Sequence, residues 1–107
     1  MIATTPKPPY FAVIFTSVMV EEEKDYEHMS NKMIELAKKQ EGFLGMESAR
    51  NEVGITVSYW NSLEAIQHWK LNLEHSEARE KGRSTWYQKF KVRISKVEHD
   101  YGFDSLE

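Results

Sequence analysis

Residues 54–70 read GITVSYWNSLEAIQHWK. The first half alternates, with Ile55, Val57 and Tyr59 on one side of an extended chain and Thr56, Ser58 and Trp60 on the other, which predicts a β-strand. Both sides carry bulk, so the strand is expected in a sheet with two occupied faces. The second half changes period. Leu63, Ile66, Trp69 and Leu73 recur at helical spacing and predict the buried stripe of an amphipathic helix. Asn61 stands where a helix cap is needed, and Glu64 three residues on completes a capping-box-like pattern. Two of the three tryptophans, Trp60 and Trp69, therefore bracket one strand-to-helix junction. They either fill a core or wall a pocket for a flat molecule.

On the N-terminal side, residues 1–9 hold all three prolines (Pro6, Pro8, Pro9) and read as an extended lead-in. YFAVIFTSV, residues 10–18, is apolar at almost every position and predicts a strand buried on both faces. EEEKD (21–25) places acids ahead of a helix, where the positive end of the helix dipole favours them. From Tyr26 onward, Met29, Met33, Leu36 and Ala37 mark its apolar face, and Gly42 in QEGF is the expected left-handed residue that ends it. FLGMESAR (43–50) is a strand joined by NEVG to the stretch quoted first. On the C-terminal side, EHSEAREKG extends the second helix by a turn or two and stops it at Gly82. WYQKFKVRISKVEHDY, from Trp86 to Tyr101, is a long last strand. Val97 falls out of the phase kept by Phe90, Val92 and Ile94, which predicts a bulge or bend near Ser95 and Lys96.

The resulting order, β-α-β-β-α-β, is the α+β ferredoxin-like arrangement, with the domain over residues 10–103 and a short tail at 104–107. Two helices cover one face of four antiparallel strands, and the other face still carries aliphatic and aromatic side chains. Burying that face against a second copy is the expected remedy, giving a homodimer whose sheets form a barrel.

Composition narrows the function classes. A chain of 107 residues with 40% hydrophobic and 29% charged residues is one globular domain rather than a disordered chain. The net charge of −3, with Lys and Arg dispersed, argues against nucleic acid as a partner. The absence of cysteine excludes disulfides, thiolate metal sites and Cys nucleophiles. No apolar run approaches the roughly 20 residues that span a bilayer, and no signal peptide is recognisable, so the expected location is cytoplasmic, without membrane contact. His28 and His99 read as surface residues, and His68 and His75 lie two helical turns apart, too far to share an ion. No metal site is therefore expected.

Candidate chemistry gathers around the second helix. The end of the third strand, that helix and the start of the fourth strand are neighbours in this topology, bringing Tyr59, Trp60, Trp69 and Trp86 toward one region as a substrate-binding wall. His68, Asn72, His75 and Arg79 share the polar face of an unbroken helix, where solvation explains them. With a bend after Lys70, Asn72, His75 and Arg79 instead turn over a pocket mouth. A neutral His75 there takes a proton from a phenol or enol, and Arg79 stabilises the anion.

GFLGMESAR, GITVSYWNSLEAIQHWK and EHSEAREKGRSTWYQKFKVRISKVEHDYGF together resemble the antibiotic biosynthesis monooxygenase family of dimeric α+β barrel proteins, across residues 10–103. The resemblance implies a homodimer with a pocket between each sheet and its helices, near Trp60 and Trp69. It also implies one of several activities: oxygenation of aromatic polyketides or quinol-type molecules without a cofactor, haem degradation, or non-catalytic binding of a small reactive molecule under stress. The haem-degrading branch carries an Asn on the first strand, a Trp late in the second helix and a His ten residues later. Trp69 matches; Arg79 stands where the His belongs, and YFAVIFTSV contains no Asn. That departure disfavours haem and leaves a small aromatic molecule as the expected partner, with no cofactor.

Overall fold

The computed structural model describes residues 2–19, 26–79 and 87–105, with side chains placed except at 26–30 and 74–79. Its elements are β1 (Tyr10–Met19), α1 (Tyr26–Lys38), β2 (Phe43–Arg50), β3 (Gly54–Trp60), α2 (Leu63–Arg79) and β4 (Tyr87–Val97). The four antiparallel strands are ordered β2-β3-β1-β4, the α+β ferredoxin-like topology expected from the order of periods. Its central strands, β1 and β3, are the two richest in alternating bulk.

Register sorts the side chains onto two faces, because directly paired residues point the same way. Phe11, Val13, Phe15 and Ser17 pair with Trp60, Ser58, Thr56 and Gly54 on one side and with Lys96, Ile94, Val92 and Phe90 on the other. This face lies under the helices, since Val13 and Trp60 form one core with Ala37 of α1 and Ala65 and Ile66 of α2. Tyr10, Ala12, Ile14, Thr16 and Val18 point the opposite way with Tyr59, Val57 and Ile55, on a face that carries no helix.

Three local expectations change. The N-cap of α2 is Ser62, whose Oγ accepts the Ala65 amide at 3.1 Å, while the Asn61 amide donates to Gly42 O at 2.9 Å and belongs to the preceding turn. Leu63, placed in the buried stripe by periodicity, is 55% exposed because it opens the helix before the chain reaches the core; Ile66 of the same stripe is buried, and Ala65 joins it. The last strand runs in register from Lys89 to Val97, with no bulge near Ser95 and Lys96. Val97 is out of phase simply because it faces the helix-free side, opposite Tyr10. The irregularities fall elsewhere: Gln88 is passed over between the Val18–Lys89 and Met19–Tyr87 pairs, and Leu44 between Phe43–Trp60 and Gly45–Tyr59. Gly42 has φ +92°, and a Cβ there would lie 2.5 Å from Asn61 Oδ1 and 2.6 Å from Ala65 Cβ, so only glycine closes α1 against the start of α2.

Candidate functional site: a cavity between sheet and helices

The two helices do not fill the space above the sheet. A cavity of ≈ 600 Å³ remains, floored by Val13 and Phe15 of β1, Met46 and Ser48 of β2, Thr56 and Ser58 of β3, and Phe90, Val92 and Ile94 of β4. Met33 and Ile34 of α1 and Ile66, Trp69 and Leu73 of α2 roof it. Lys70 also borders it and is exposed, which places its ammonium toward the rim. This volume suits a molecule of two or three fused rings, and an apolar wall with few polar groups is the usual build of a small-molecule site.

Aromatic clusters stand at both ends. At one end Trp60 is fully buried, its ring 5.0 Å from Trp69 at a 31° tilt and 5.4 Å from Phe43 edge to face. At the other, Phe15 stacks on Phe90 at 5.4 Å and meets Tyr87 edge to face at 5.3 Å. The polar groups of the floor are hydroxyls. Trp60 Nε1–H donates to Ser58 Oγ at 2.9 Å, which occupies an acceptor position of Ser58 and leaves its own O–H to be donated. Thr56 and Ser48 lie one row further along the strands. Trp69 Nε1–H is buried without an acceptor among the described residues, so packing alone holds that ring.

The grouping expected from sequence is only partly realised. Trp60 and Trp69 meet, but Trp60 backs the wall as core and Trp69 alone of the pair borders the cavity. Tyr59 is on the opposite face, as its adjacency to Trp60 in a strand requires; its hydroxyl donates to Glu47 Oε1 at 2.7 Å. Desolvation first, and then the Glu47 carboxylate, push the Tyr59 phenol up to about 12. Asn72 is exposed, and its Nδ2 donates to Gln40 Oε1 and His68 O, both at 3.1 Å, tying α2 to the end of α1 rather than facing the cavity. α2 continues to Arg79 as helix; the side chains of His75 and Arg79, and all of Trp86, lie outside the described residues. Met33, Met46 and Phe90 line the cavity and were not singled out as site residues. Their signal was present in the apolar periodicity, but periodicity marks a facing surface without telling a packed core from a hollow one.

Among the described residues no group of three His, Asp or Glu is placed to hold a metal ion, and no helix is long and apolar enough to cross a membrane.

Relatives share this architecture. A conserved protein from Methanosarcina mazei Go1 superposes with a TM-score of 0.66 over 86% of this chain and 94% of its own, at 13% identity. A candidate antibiotic biosynthesis monooxygenase from Bacillus cereus does so with a TM-score of 0.54 over 90% of this chain and 100% of its own, at 20% identity. In sequence, the chain is 50% identical over 99 residues to the uncharacterized protein YqjZ of Bacillus subtilis (strain 168), covering 91% of this chain and 87% of that one. Residues 14–98, from within β1 to the end of β4, match the family model Monooxygenase af470-like. The chain belongs to that family, which is of the antibiotic biosynthesis monooxygenase type.

Proposed function

We propose that the protein is a monooxygenase-like homodimer that takes a small aromatic or quinol-type molecule into this cavity and oxygenates it without a cofactor. The observation that carries the reading is the ≈ 600 Å³ apolar cavity with aromatic clusters at both ends and hydroxyls on its floor, in a chain of monooxygenase-type family. A fused-ring methylene ketone is suitable chemistry. Loss of a proton gives its enolate, which donates an electron to O2; one oxygen atom becomes the new carbonyl, and the other leaves as water with the two methylene hydrogens. The substrate supplies the electrons, so no external reductant enters. The protein has to hold the ring flat, exclude water and stabilise the anion. Trp69 is assigned the ring, Ser58 and Thr56 the oxygen, and His75 and Arg79 the proton and the negative charge.

One observation favours a second reading, binding without turnover. Among the described residues that border the cavity there is no carboxylate and no imidazole. Oxygen uptake with anthrone separates the two. Trp69→Phe is expected to weaken binding about fivefold, from the loss of a stacking contact worth around 1 kcal/mol. His75→Ala is expected to lower uptake about a hundredfold with affinity unchanged. Anthrone that binds the unaltered protein, measured calorimetrically, with no uptake above the uncatalysed rate would remove the enzyme reading and leave the binder.

A further inference from the structure

The chain leaves β4 on the helix-free side of the sheet. Val97 pairs with Tyr10, and the Tyr10 hydroxyl donates to Asp100 Oδ2 at 2.5 Å. Tyr10 belongs to the row that faces away from the helices, so this bond ties the base of segment 98–105 to that side. Past the tie, Tyr101 is 100% exposed and Phe103 is 92% exposed. One exposed ring is ordinary; two, separated by a single residue, form an apolar pair that their own chain leaves in water.

The helix-free face offers what that pair lacks. Ile14, Val57 and Ile55 (46% exposed) make an apolar strip. Beside it, on the edge strand, stand Lys89, Lys91 and Arg93, paired with Val18, Thr16 and Ile14; Lys91 also borders the cavity. Segment 98–105 carries three acids, Glu98, Asp100 and Asp104, opposite in sign to these three bases. Within one chain the segment does not cover this strip, since both rings stand in water. The Ile55 row, at Thr16, lies six residues along β1 from Tyr10, about 20 Å away, and from Asp100 to Phe103 the chain spans at most about 11 Å.

We propose that residues 98–105 are an exchanged arm. In a pair of chains related by a two-fold axis through their helix-free faces, Tyr101 and Phe103 of each copy pack on the Ile14–Ile55–Val57 strip of the other, and the arm's acids meet Lys89, Lys91 and Arg93. The inference rests on the homodimer proposed above and adds what holds it together. Tyr and Phe bury about 150–250 Å² each, so two arms supply roughly 600–1,000 Å² of the roughly 1,600 Å² of a stable interface. Both arms are used because a two-fold interface is isologous.

Sedimentation across a dilution series tests this. The double variant Tyr101→Ser/Phe103→Ser, altered only at exposed positions, should raise the dimer dissociation constant at least about thirtyfold. Charge exchange gives an independent readout. A chain carrying Glu98→Lys and Asp104→Lys, and another carrying Lys89→Glu and Arg93→Glu, should each dimerise weakly alone. Mixed, every arm again faces the opposite charge, and a heterodimer should form with affinity near that of the unaltered protein. A double variant that dimerises like the unaltered chain, or a mixture no tighter than its components, overturns the arm and leaves face-to-face pairing standing. An unaltered chain that stays monomeric overturns both, while anthrone calorimetry reports on the cavity separately.

Discussion

The two faces of this sheet are built from the same strands and do opposite things. Under the helices, Phe11, Val13, Trp60 and Met46 join a core whose remaining space is a cavity. On the other side, aliphatic residues alternate with lysines, an arginine and two phenol–carboxylate pairs, Tyr59–Glu47 and Tyr10–Asp100. Strand alternation alone produces both, since each residue of β1 and β3 contributes to one face or the other. The lesson is that burial on both sides of a strand need not mean one core. One side here is covered by the helices over β1 and β3 and stays open along β4, where Phe90, Val92 and Ile94 are 41–50% exposed. The other is left with the composition of an interface: apolar in the middle, charged at the rim.

That contrast can be broken by substitution. The largest effect is expected on the covered face. Trp60 is fully buried and touches Phe43, Trp69 and Ser58, so Trp60→Ala should cost about 3–5 kcal/mol in urea unfolding. A smaller loss is expected from Glu47 on the helix-free face, whose carboxylate accepts from the Tyr59 hydroxyl at 2.7 Å and the Ala3 amide at 2.9 Å. Those two bonds, the phenol's first, hold its pKa below the ordinary 4.5. A depressed carboxylate contributes stability that is present above the unfolded value and is lost as pH falls through the folded one. Glu47→Gln should therefore cost about 1 kcal/mol near neutral pH, with the gap to the unaltered chain closing as pH falls below that range. Tyr59 has the reverse sign: its contribution is present below pH 10.0 and fades as pH rises toward about 12. The smallest effect belongs to Ile55→Ala, which should change the stability of the dilute, unpaired chain by no more than about 0.5 kcal/mol. Should Ile55→Ala cost as much there as Trp60→Ala, the distinction between the core under the helices and the helix-free face would fail.

Much of this was legible in the chain. The switch from period two to period 3.6 across residues 54–70 located β3 and α2, and the glycine of QEGF marked the left-handed end of α1. What was not legible depended on pairing or on choice between equals. The extra residues at Leu44 and Gln88 are set by what lies across the ladder, which no single strand records. Asn61 and Ser62 are both good caps, and the turn back to Gly42 O decides for Ser62 by engaging Asn61. The placement of Tyr59 is different: neighbours in a strand alternate, so Tyr59 and Trp60 never belonged to one wall. For the site, Trp69 was visible as an aromatic on the apolar stripe. The hydroxyls of Thr56 and Ser58 were not, because small polar residues in a strand read as ordinary surface until helices lie over them, and Ser48 is still exposed at the cavity's edge.

The contact between Trp60 and Trp69 has an optical consequence. Two indoles with centroids 5.0 Å apart couple their electronic transitions, because dipole coupling grows steeply as separation shrinks. Circular dichroism in the indole bands should therefore carry a couplet from the pair rather than the sum of two isolated chromophores. One ring is fixed in the core by its bond to Ser58; the other borders the cavity and is held only by packing. A rotation of Trp69 around an arriving molecule changes the angle between the transition moments, and with it the amplitude of the couplet. The protein thus carries its own gauge of cavity occupancy, readable without a label.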